Sequence, residues 1–144
     1  FNFKLLHAII INLLSSRQTI HQISNLNSKL KETPKSTDES FLSDVVDIIK
    51  KNITNSEFSI DLISKKTGLS RSKLFRKLKG LTNMSPVDLV IKIKLNHASE
   101  ILKTNKNIRM SDVAYESGFN DPRYFSTLFK KTFGKTPKQY SKEN

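Results

Sequence analysis

The sequence predicts an all-α protein, and three observations indicate this fold class. Apolar residues recur at helical spacing along most of the chain. Only four Gly and four Pro interrupt its 144 residues, and no segment alternates apolar and polar side chains as a half-buried strand does. A chain of this length can bury an ordinary core. We expect an N-terminal helix followed by two helix-turn-helix subdomains that a long helix joins.

The chain is expected to begin with a helix and a linker. Apolar side chains at helical spacing predict a helix over residues 1–30. Residues 31–40, KETPKSTDES, are polar and contain a proline, which is typical of a linker. A further helix is predicted from Phe41 to about Asn52, at the start of a main domain over residues 41–144.

The main domain contains an internal repeat. One set of residues recurs fifty positions later, and a second set recurs at an offset of 51. So many matches with a single one-residue slip indicate one supersecondary unit built twice. At the first offset Ile60, Ile63, Ser64, Gly68 and Leu69 match Met110, Val113, Ala114, Gly118 and Phe119, and at the second Leu74, Leu78, Ser85, Pro86 and Leu89 match Phe125, Phe129, Thr136, Pro137 and Tyr140.

The first copy, at about residues 59–82, is predicted to be a helix, a turn and a helix. Ser59 is expected to cap a helix that runs to about Thr67, and Gly68 is expected to supply the left-handed residue that ends it. Ser70 then caps the second helix. The inward-facing residues of that helix are Leu74, Leu78 and Leu81.

The second copy, at about residues 110–133, follows the same plan. A helix over about residues 111–117 ends at Gly118, Asp121 caps the next helix, and Pro122 takes its first position. Two short helices around a glycine turn form the helix-turn-helix pattern. The inward-facing residues of the second helix are Phe125 and Phe129.

A long helix is predicted between the two copies. Ser85-Pro86 opens it, so that it covers about residues 86–104 and measures roughly 28 Å. One turn of B-DNA measures about 34 Å. A rigid connector of this length would place both second helices in successive major grooves on one face of a duplex.

The charge balance favours an anionic partner. The chain carries 25 Lys and Arg against 13 Asp and Glu, and residues 41–144 hold twenty of the basic and ten of the acidic side chains. Nucleic acid, an anionic membrane surface and an acidic protein all fit this balance. We expect residues 41–144 to engage the partner.

Composition and motifs argue against several other classes. With no cysteine, the chain has no disulfide, thiolate zinc site or cysteine nucleophile, which suits the reducing cytoplasm. The longest apolar run, residues 5–14, is too short to span a membrane and lacks the flanks of a signal peptide. His7, His21 and His97 have no metal-ligand partner at helical spacing, and nothing resembles a phosphate loop or a nucleophile elbow. We expect no enzymatic activity, cofactor, metal or small-molecule ligand in this segment.

The run SRSKLFRKLK at residues 70–79 carries five Lys and Arg and no acid. If the leucines face the core, Ser72 and Arg76 point away from it, together with Phe75 or Lys73. An outward Arg can contact guanine O6 and N7, the commonest base-specific contact. The alternative is an ordinary solvated basic face. The cations expected at phosphates are Arg71, Lys73, Lys77 and Lys79.

In the second copy the outward positions are Arg123, Tyr124, Ser126 and Thr127. Arg123 and Thr127 lie one turn apart and can both reach base edges. Tyr124 either meets a sugar or a thymine methyl, or is buried. The phosphate contacts expected here are Ser126, Lys130, Lys131, Lys135 and Lys138, and the aromatic residues expected in the core are Phe119, Phe129, Phe133 and Tyr140.

The second copy resembles the signature of the AraC/XylS family of transcription regulators. The resemblance lies in VAYESGFNDPRYFS at residues 113–126 and FKKTFGKTP at residues 129–137, and the match covers about residues 41–142. It implies two homeodomain-like helix-turn-helix subdomains, promoter DNA as partner and recruitment of RNA polymerase. Many members carry Arg where Thr127 and Ser141 stand, so the second helix is expected to read bases more weakly. The base-contacting positions that the resemblance implies are Ser72, Phe75, Arg76, Arg123, Tyr124 and Thr127.

The N-terminal segment is similar to the last helix of a response-regulator receiver domain. The linker and the first copy are similar to the C-terminal ends of hybrid two-component regulators of Bacteroidota, in which one chain carries sensor, histidine kinase, receiver and output domains. The chain begins with Phe1, so we expect a longer parent protein. We expect this parent to be a sensor that is anchored in the inner membrane and dimerises through its upstream parts. The phospho-acceptor Asp would precede Phe1.

A non-specific architectural nucleic-acid-binding protein is the main alternative, because charge alone explains such binding. Some AraC-type domains are joined to alkyl-transfer repair modules, but those modules need cysteines. A peripheral membrane protein is disfavoured because the first helix carries little Lys or Arg.

Overall fold

The computed structural model describes residues 37–143, so the predicted helix at residues 1–30 and the first six residues of the predicted linker lie outside the described residues. Residues 37–143 form helices without any strand, which confirms the all-α class. The helices are α1 (Thr37–Lys51), α2 (Ile60–Thr67), α3 (Arg71–Thr82), α4 (Pro86–Thr104), α5 (Met110–Glu116), α6 (Pro122–Phe133) and α7 (Pro137–Glu143).

The described residues divide into two compact units. The first contains residues 37–51 and 59–89, and the second contains residues 52–58 and 90–143. Helix α4 begins in the first unit and continues into the second. Within the described range, no helix is both long enough and apolar enough to cross a bilayer.

Helix α1 begins earlier than its sequence pattern predicts. It starts at Thr37 rather than Phe41, so the prediction that residues 37–40 belong to a linker is wrong. Asp38 and Glu39 lie in the first turn, where negative charge interacts favourably with the helix dipole. The polar composition that indicated a linker therefore suits a helix N-terminus equally well.

The first helix-turn-helix lies where the repeat predicted it. Gly68 ends α2 with φ 73°, and the Ser70 hydroxyl accepts a hydrogen bond of 3.2 Å from the Lys73 backbone N–H. Ser59 occupies the N-cap position of α2, but its side chain makes no capping hydrogen bond. The Leu62 N–H instead donates to the Ser59 backbone carbonyl at 3.1 Å, so the expected side-chain cap is wrong.

The core of the first unit forms where α1 packs on α2 and α2 packs on α3. Burying these apolar side chains supplies the main favourable free energy of folding. Leu81 is only half-buried. The fully buried residues include Leu42, Val45, Ile49, Ile63, Leu74, Leu78 and Leu89.

The long helix α4 begins at Pro86, as the Ser85-Pro86 pair predicted. The Ser85 hydroxyl accepts a hydrogen bond of 3.2 Å from the Asp88 N–H, which satisfies one of the free donors of the first turn. The helix has 19 residues and therefore measures roughly 28 Å.

The second helix-turn-helix repeats the design of the first. Helix α5 begins at Met110, one residue before the predicted start, and Gly118 follows it with φ 88°. The Asp121 carboxylate accepts a hydrogen bond of 2.9 Å from the Arg123 N–H, and Pro122 is the first residue of α6. The predicted cap and the predicted proline position are both confirmed.

Helix α7 completes the second unit and was not expected from the sequence. The Thr136 hydroxyl accepts from the Gln139 N–H at 3.2 Å, while the Gln139 side chain accepts from the Thr136 N–H at 3.0 Å. This reciprocal pair is a capping box. The Thr-Pro-Lys-Gln sequence at residues 136–139 is the signal that predicts it.

Aromatic rings form much of the core of the second unit. Phe125 and Phe129 are fully buried, and Phe119 is 5% exposed. The Phe129 ring lies 4.5 Å from that of Phe133 and 5.3 Å from that of Tyr140, between centroids. Phe133 and Tyr140 are half-buried against this core, so the four aromatics expected in the core contribute to it.

Candidate nucleic-acid interface

Helix α3 exposes polar side chains beside its buried face. Leu74 and Leu78 are fully buried, whereas Ser72, Phe75 and Arg76 are exposed. Phe75 is unusual, because 47% of the surface of an aromatic residue is exposed among charged neighbours. The three positions expected to point away from the core therefore do so.

A shallow, open concavity lies on this surface of α3. Arg71 and Phe75 are four residues apart, as are Ser72 and Arg76, so the two pairs form adjacent rows on the helix. Together these four side chains line the concavity. It offers guanidinium donors, a hydroxyl and an apolar ring within one small area.

Three of the four cations expected at phosphates on α3 have partners inside the first unit. The Nε of Arg71 lies 2.9 Å from Oδ1 of Asp61, and both side chains are largely exposed. The Nζ of Lys77 lies 4.3 Å from the centroid of the Phe41 ring, which is a cation–π contact. The other two expected cations on this helix, Lys73 and Lys79, are exposed, and the Nζ of Lys79 donates a hydrogen bond of 3.3 Å to the Asn83 backbone carbonyl.

Helix α6 presents the second set of expected base-contacting residues. Arg123, Tyr124 and Thr127 are exposed, opposite the buried phenylalanines. The Thr127 hydroxyl donates to the Arg123 backbone carbonyl at 3.0 Å, so its oxygen remains able to accept. Tyr124 is 52% exposed, and its ring centroid lies 6.4 Å from that of Phe119. Of the two alternatives left open for Tyr124, the structure contradicts burial.

The remaining expected phosphate contacts of the second unit differ in exposure. The Lys135 ammonium pairs with the Glu143 carboxylate, and Ser126 is half-buried. The cations that are exposed on α6 or near the start of α7 are Lys130, Lys131 and Lys138.

Lys94 bonds to the turn of the second unit, and this contact was not predicted from the sequence. Its ammonium donates a hydrogen bond of 3.0 Å to the Gly118 carbonyl and lies 5.6 Å from the centroid of the Phe119 ring. Burial lowers the pKa of this amine. Because the two partners are 24 residues apart, no local sequence pattern indicates the contact.

Gly118 is also the point of closest backbone approach in this turn. A Cβ at that position would lie 2.1 Å from the Ile53 carbonyl oxygen, far inside contact distance. At Gly68 a Cβ would meet no described atom within 4 Å. The two turn glycines therefore share a left-handed backbone but differ in how tightly they are enclosed.

The exposed groups on α3 and on α6 are guanidinium and ammonium donors, hydroxyls and one aromatic ring on each helix. Within residues 37–143, no group of three His, Asp or Glu side chains is placed to hold a metal. Hydrogen-bond donors, hydroxyls and apolar rings on a solvent-facing helix can instead recognise the edges of bases.

Two helix-turn-helix units, each with a donor-rich second helix, define the class of helix-turn-helix nucleic-acid-binding proteins. A family profile described as a helix-turn-helix domain matches residues 63–143, which is more than half of the chain. The chain belongs to the AraC/XylS-type helix-turn-helix family of DNA-binding transcription regulators.

Individual relatives agree with this family. The chain is 36% identical over 143 residues to histidine kinase P4 of Formosa agariphila, covering 97% of this chain and 10% of that protein. It is 32% identical over 82 residues to the transcriptional activator RhaS of Escherichia coli, covering 57% of this chain and 29% of that protein. The chain thus spans less than a third of the length of either relative.

A solved structure agrees as well. The C-terminal domain of the two-component response regulator yesN from Fusobacterium nucleatum superposes with a TM-score of 0.61 at 31% identity. The superposition covers 67% of this chain and 93% of that domain.

Proposed function

We propose that this chain binds double-stranded DNA in a sequence-selective way, with α3 and α6 as its recognition helices. The observation that carries the proposal is that each helix buries one apolar face and exposes an Arg and a hydroxyl residue one turn apart. These pairs are Ser72 with Arg76 and Arg123 with Thr127. An Arg at the surface of such a helix suits bidentate contact with guanine.

The proposed base-contacting set combines these pairs with two exposed aromatic residues. Phe75 and Tyr124 add apolar surface, which suits contact with thymine methyl groups or sugars. The full set is Ser72, Phe75, Arg76, Arg123, Tyr124 and Thr127.

The proposed phosphate contacts fall into two groups. Lys73, Lys130 and Lys131 are exposed and are the stronger candidates for neutralising phosphates. Four further candidates would first have to share or leave the partners described above: Arg71, Lys77, Lys79 and Lys135. Ser126, half-buried near the start of α6, is the remaining candidate.

We further propose that the chain is the output domain of a two-component regulator that acts at promoters in the cytoplasm. The similarity to a histidine kinase and to a response-regulator domain supports this role. In this proposal the parent protein dimerises through its upstream parts, its sensor is anchored in the inner membrane, and the bound domain recruits RNA polymerase.

Selection of bound duplexes from a random pool tests the DNA-binding proposal. We expect two enriched half-sites, one for each of the two proposed recognition helices. The Arg76→Ala variant should lose preference at one base pair, whereas Lys103→Ala, which removes a charge outside α3 and α6, should select the same motif. Recovery of no motif would support non-specific architectural binding instead.

A further inference from the structure

The concavity on α3 brings together an exposed ring and an exposed guanidinium. Phe75 is 47% exposed, and it is followed directly by Arg76, with which it lines the same surface. Leu74 and Leu78 of the same run are fully buried, so Phe75 does not serve the core as they do. Its apolar surface leaves water only when a partner covers it.

The chemistry of the major groove offers one apolar group for such a ring. Thymine presents its C5-methyl group there, and guanine presents the O6 and N7 acceptors that an Arg binds with two hydrogen bonds. Phe75 and Arg76 line one small concavity, so the groups that they would contact on a duplex lie close together. We propose that the first unit recognises a thymine next to a guanine, with Phe75 covering the thymine methyl and Arg76 binding the guanine; this inference rests on the proposed sequence-selective DNA binding.

The Asp61–Arg71 ion pair favours a base edge over the sugar-phosphate backbone as the partner of Phe75. Arg71 lies in the same row of α3 as Phe75, and the Asp61 carboxylate lies 2.9 Å from its Nε. The carboxylate offsets the charge of Arg71, which makes this row a weaker phosphate site than a row with a free cation. Phe75 therefore lies in the row of α3 that attracts phosphate less strongly.

The internal repeat supplies a control within the chain. At the repeat offset of 51, Phe75 corresponds to Ser126 and Arg76 corresponds to Thr127. Ser126 is half-buried and has no ring. Methyl recognition of this kind is thus a property of the first half-site and is absent at the equivalent position of the second.

The test uses the whole chain and the duplex obtained from the random pool. Each thymine is replaced in turn by deoxyuridine, which removes only the methyl group, and each guanine by 7-deazaguanine, which removes N7. At one thymine of the first half-site, deoxyuridine should weaken binding about fourfold, the factor that corresponds to one buried methyl. Deazaguanine at the adjacent guanine should weaken binding by about tenfold.

Two variants assign these losses to side chains. Phe75→Ala should bind the thymine and deoxyuridine duplexes equally, and Arg76→Ala should no longer distinguish guanine from deazaguanine. Val87→Ala, which truncates a 54% exposed apolar residue outside α3, should keep both discriminations. Circular dichroism checks that each variant folds.

The results of these binding measurements distinguish a failure of methyl recognition from a failure of sequence-selective DNA binding. If a motif is selected but the chain binds every deoxyuridine duplex as tightly as the thymine duplex, methyl recognition is overturned. Sequence-selective binding is then left intact. The same holds if Phe75→Ala retains the discrimination. A pool that yields no motif overturns both.

Discussion

The ammonium of Lys94 donates a hydrogen bond of 3.0 Å to the backbone carbonyl of Gly118. Lys94 lies on α4, and Gly118 lies in the turn that leads to α6. Because this turn sets the direction in which the chain enters α6, the bond helps to fix where Arg123 and Thr127 are presented. Lys94 is therefore a positioning residue for α6.

Replacing Lys94 by Met should destabilise the second unit, because Met keeps an apolar stem but removes the donor. A hydrogen bond from a charged group contributes about 1.5–3 kcal/mol, and partial exposure reduces this to about 1–2 kcal/mol. The three tyrosines, Tyr115, Tyr124 and Tyr140, all lie in the second unit, so tyrosine fluorescence during urea unfolding reports on it. Lys94→Arg, which keeps a cation, should lose less; equal stability of Lys94→Met and the wild type would contradict the role.

The contribution of Lys94 to the free energy of unfolding should also depend on pH. Burial lowers the pKa of this amine below its usual 10.5, so between the folded-state pKa and 10.5 the unfolded chain binds more protons. In that window the free energy of unfolding rises with pH. The wild type should therefore gain stability relative to Lys94→Met as the pH is raised toward 10.5, with a constant difference below the folded-state pKa. A relative loss over this range would show that the sign is wrong.

The two turn glycines should differ in their tolerance of alanine. Gly68 and Gly118 both have positive φ, and left-handed strain costs an alanine about 1–2 kcal/mol. At Gly118 the new Cβ would also meet the Ile53 carbonyl at 2.1 Å, so Gly118→Ala should cost about 3 kcal/mol or more. Urea unfolding followed by circular dichroism measures both losses. Equal losses would contradict the close approach at Gly118.

The N-caps of α6 and α2 should respond differently to truncation. Asp121 accepts a hydrogen bond from the Arg123 N–H, and loss of such a cap costs about 0.5–2 kcal/mol. Ser59 makes no side-chain cap bond, so Ser59→Ala should change stability by less than about 0.5 kcal/mol. Thermal unfolding of the two variants gives the comparison, and a larger effect at Ser59 than at Asp121 would refute it.

Arg76 and Lys79 should show the difference between reading bases and neutralising phosphates. Arg76→Ala should cost about 1–3 kcal/mol at the selected site and relax the preference at one base pair. Lys79→Ala should weaken all duplexes alike and lower the slope of log affinity against log salt by about one. Titrations at several salt concentrations measure both. A motif unchanged by Arg76→Ala, or a sequence-dependent loss in Lys79→Ala, would reverse these assignments.

Much of the fold could be predicted because its signals are local. Gly68 and Gly118 adopt positive φ because a helix commonly ends on a left-handed residue, and Ser70 and Asp121 cap helices because their short side chains reach nearby N–H groups. The outward positions of Ser72 and Arg76 follow from the buried leucines by helical periodicity.

The features that could not be predicted depend on distant or competing contacts. Lys77 was expected at a phosphate, but Phe41, on another helix, lies beneath its ammonium. Arg71 pairs with Asp61, and Lys94 bonds across 24 residues; sequence spacing indicates neither contact. At Ser59 a backbone carbonyl satisfies the donor that the side chain was expected to bind, because two acceptors were available for one N–H.

The ratio of dissociation constants for a scrambled and a selected duplex, measured at one salt concentration, tests the central proposal most directly. Sequence-selective recognition by α3 and α6 predicts a ratio of about a thousand or more. That ratio should fall by about tenfold or more when Arg76 is replaced by Ala. If the scrambled duplex binds within about tenfold of the selected one, charge alone accounts for the binding and the base-reading role of both helices is contradicted.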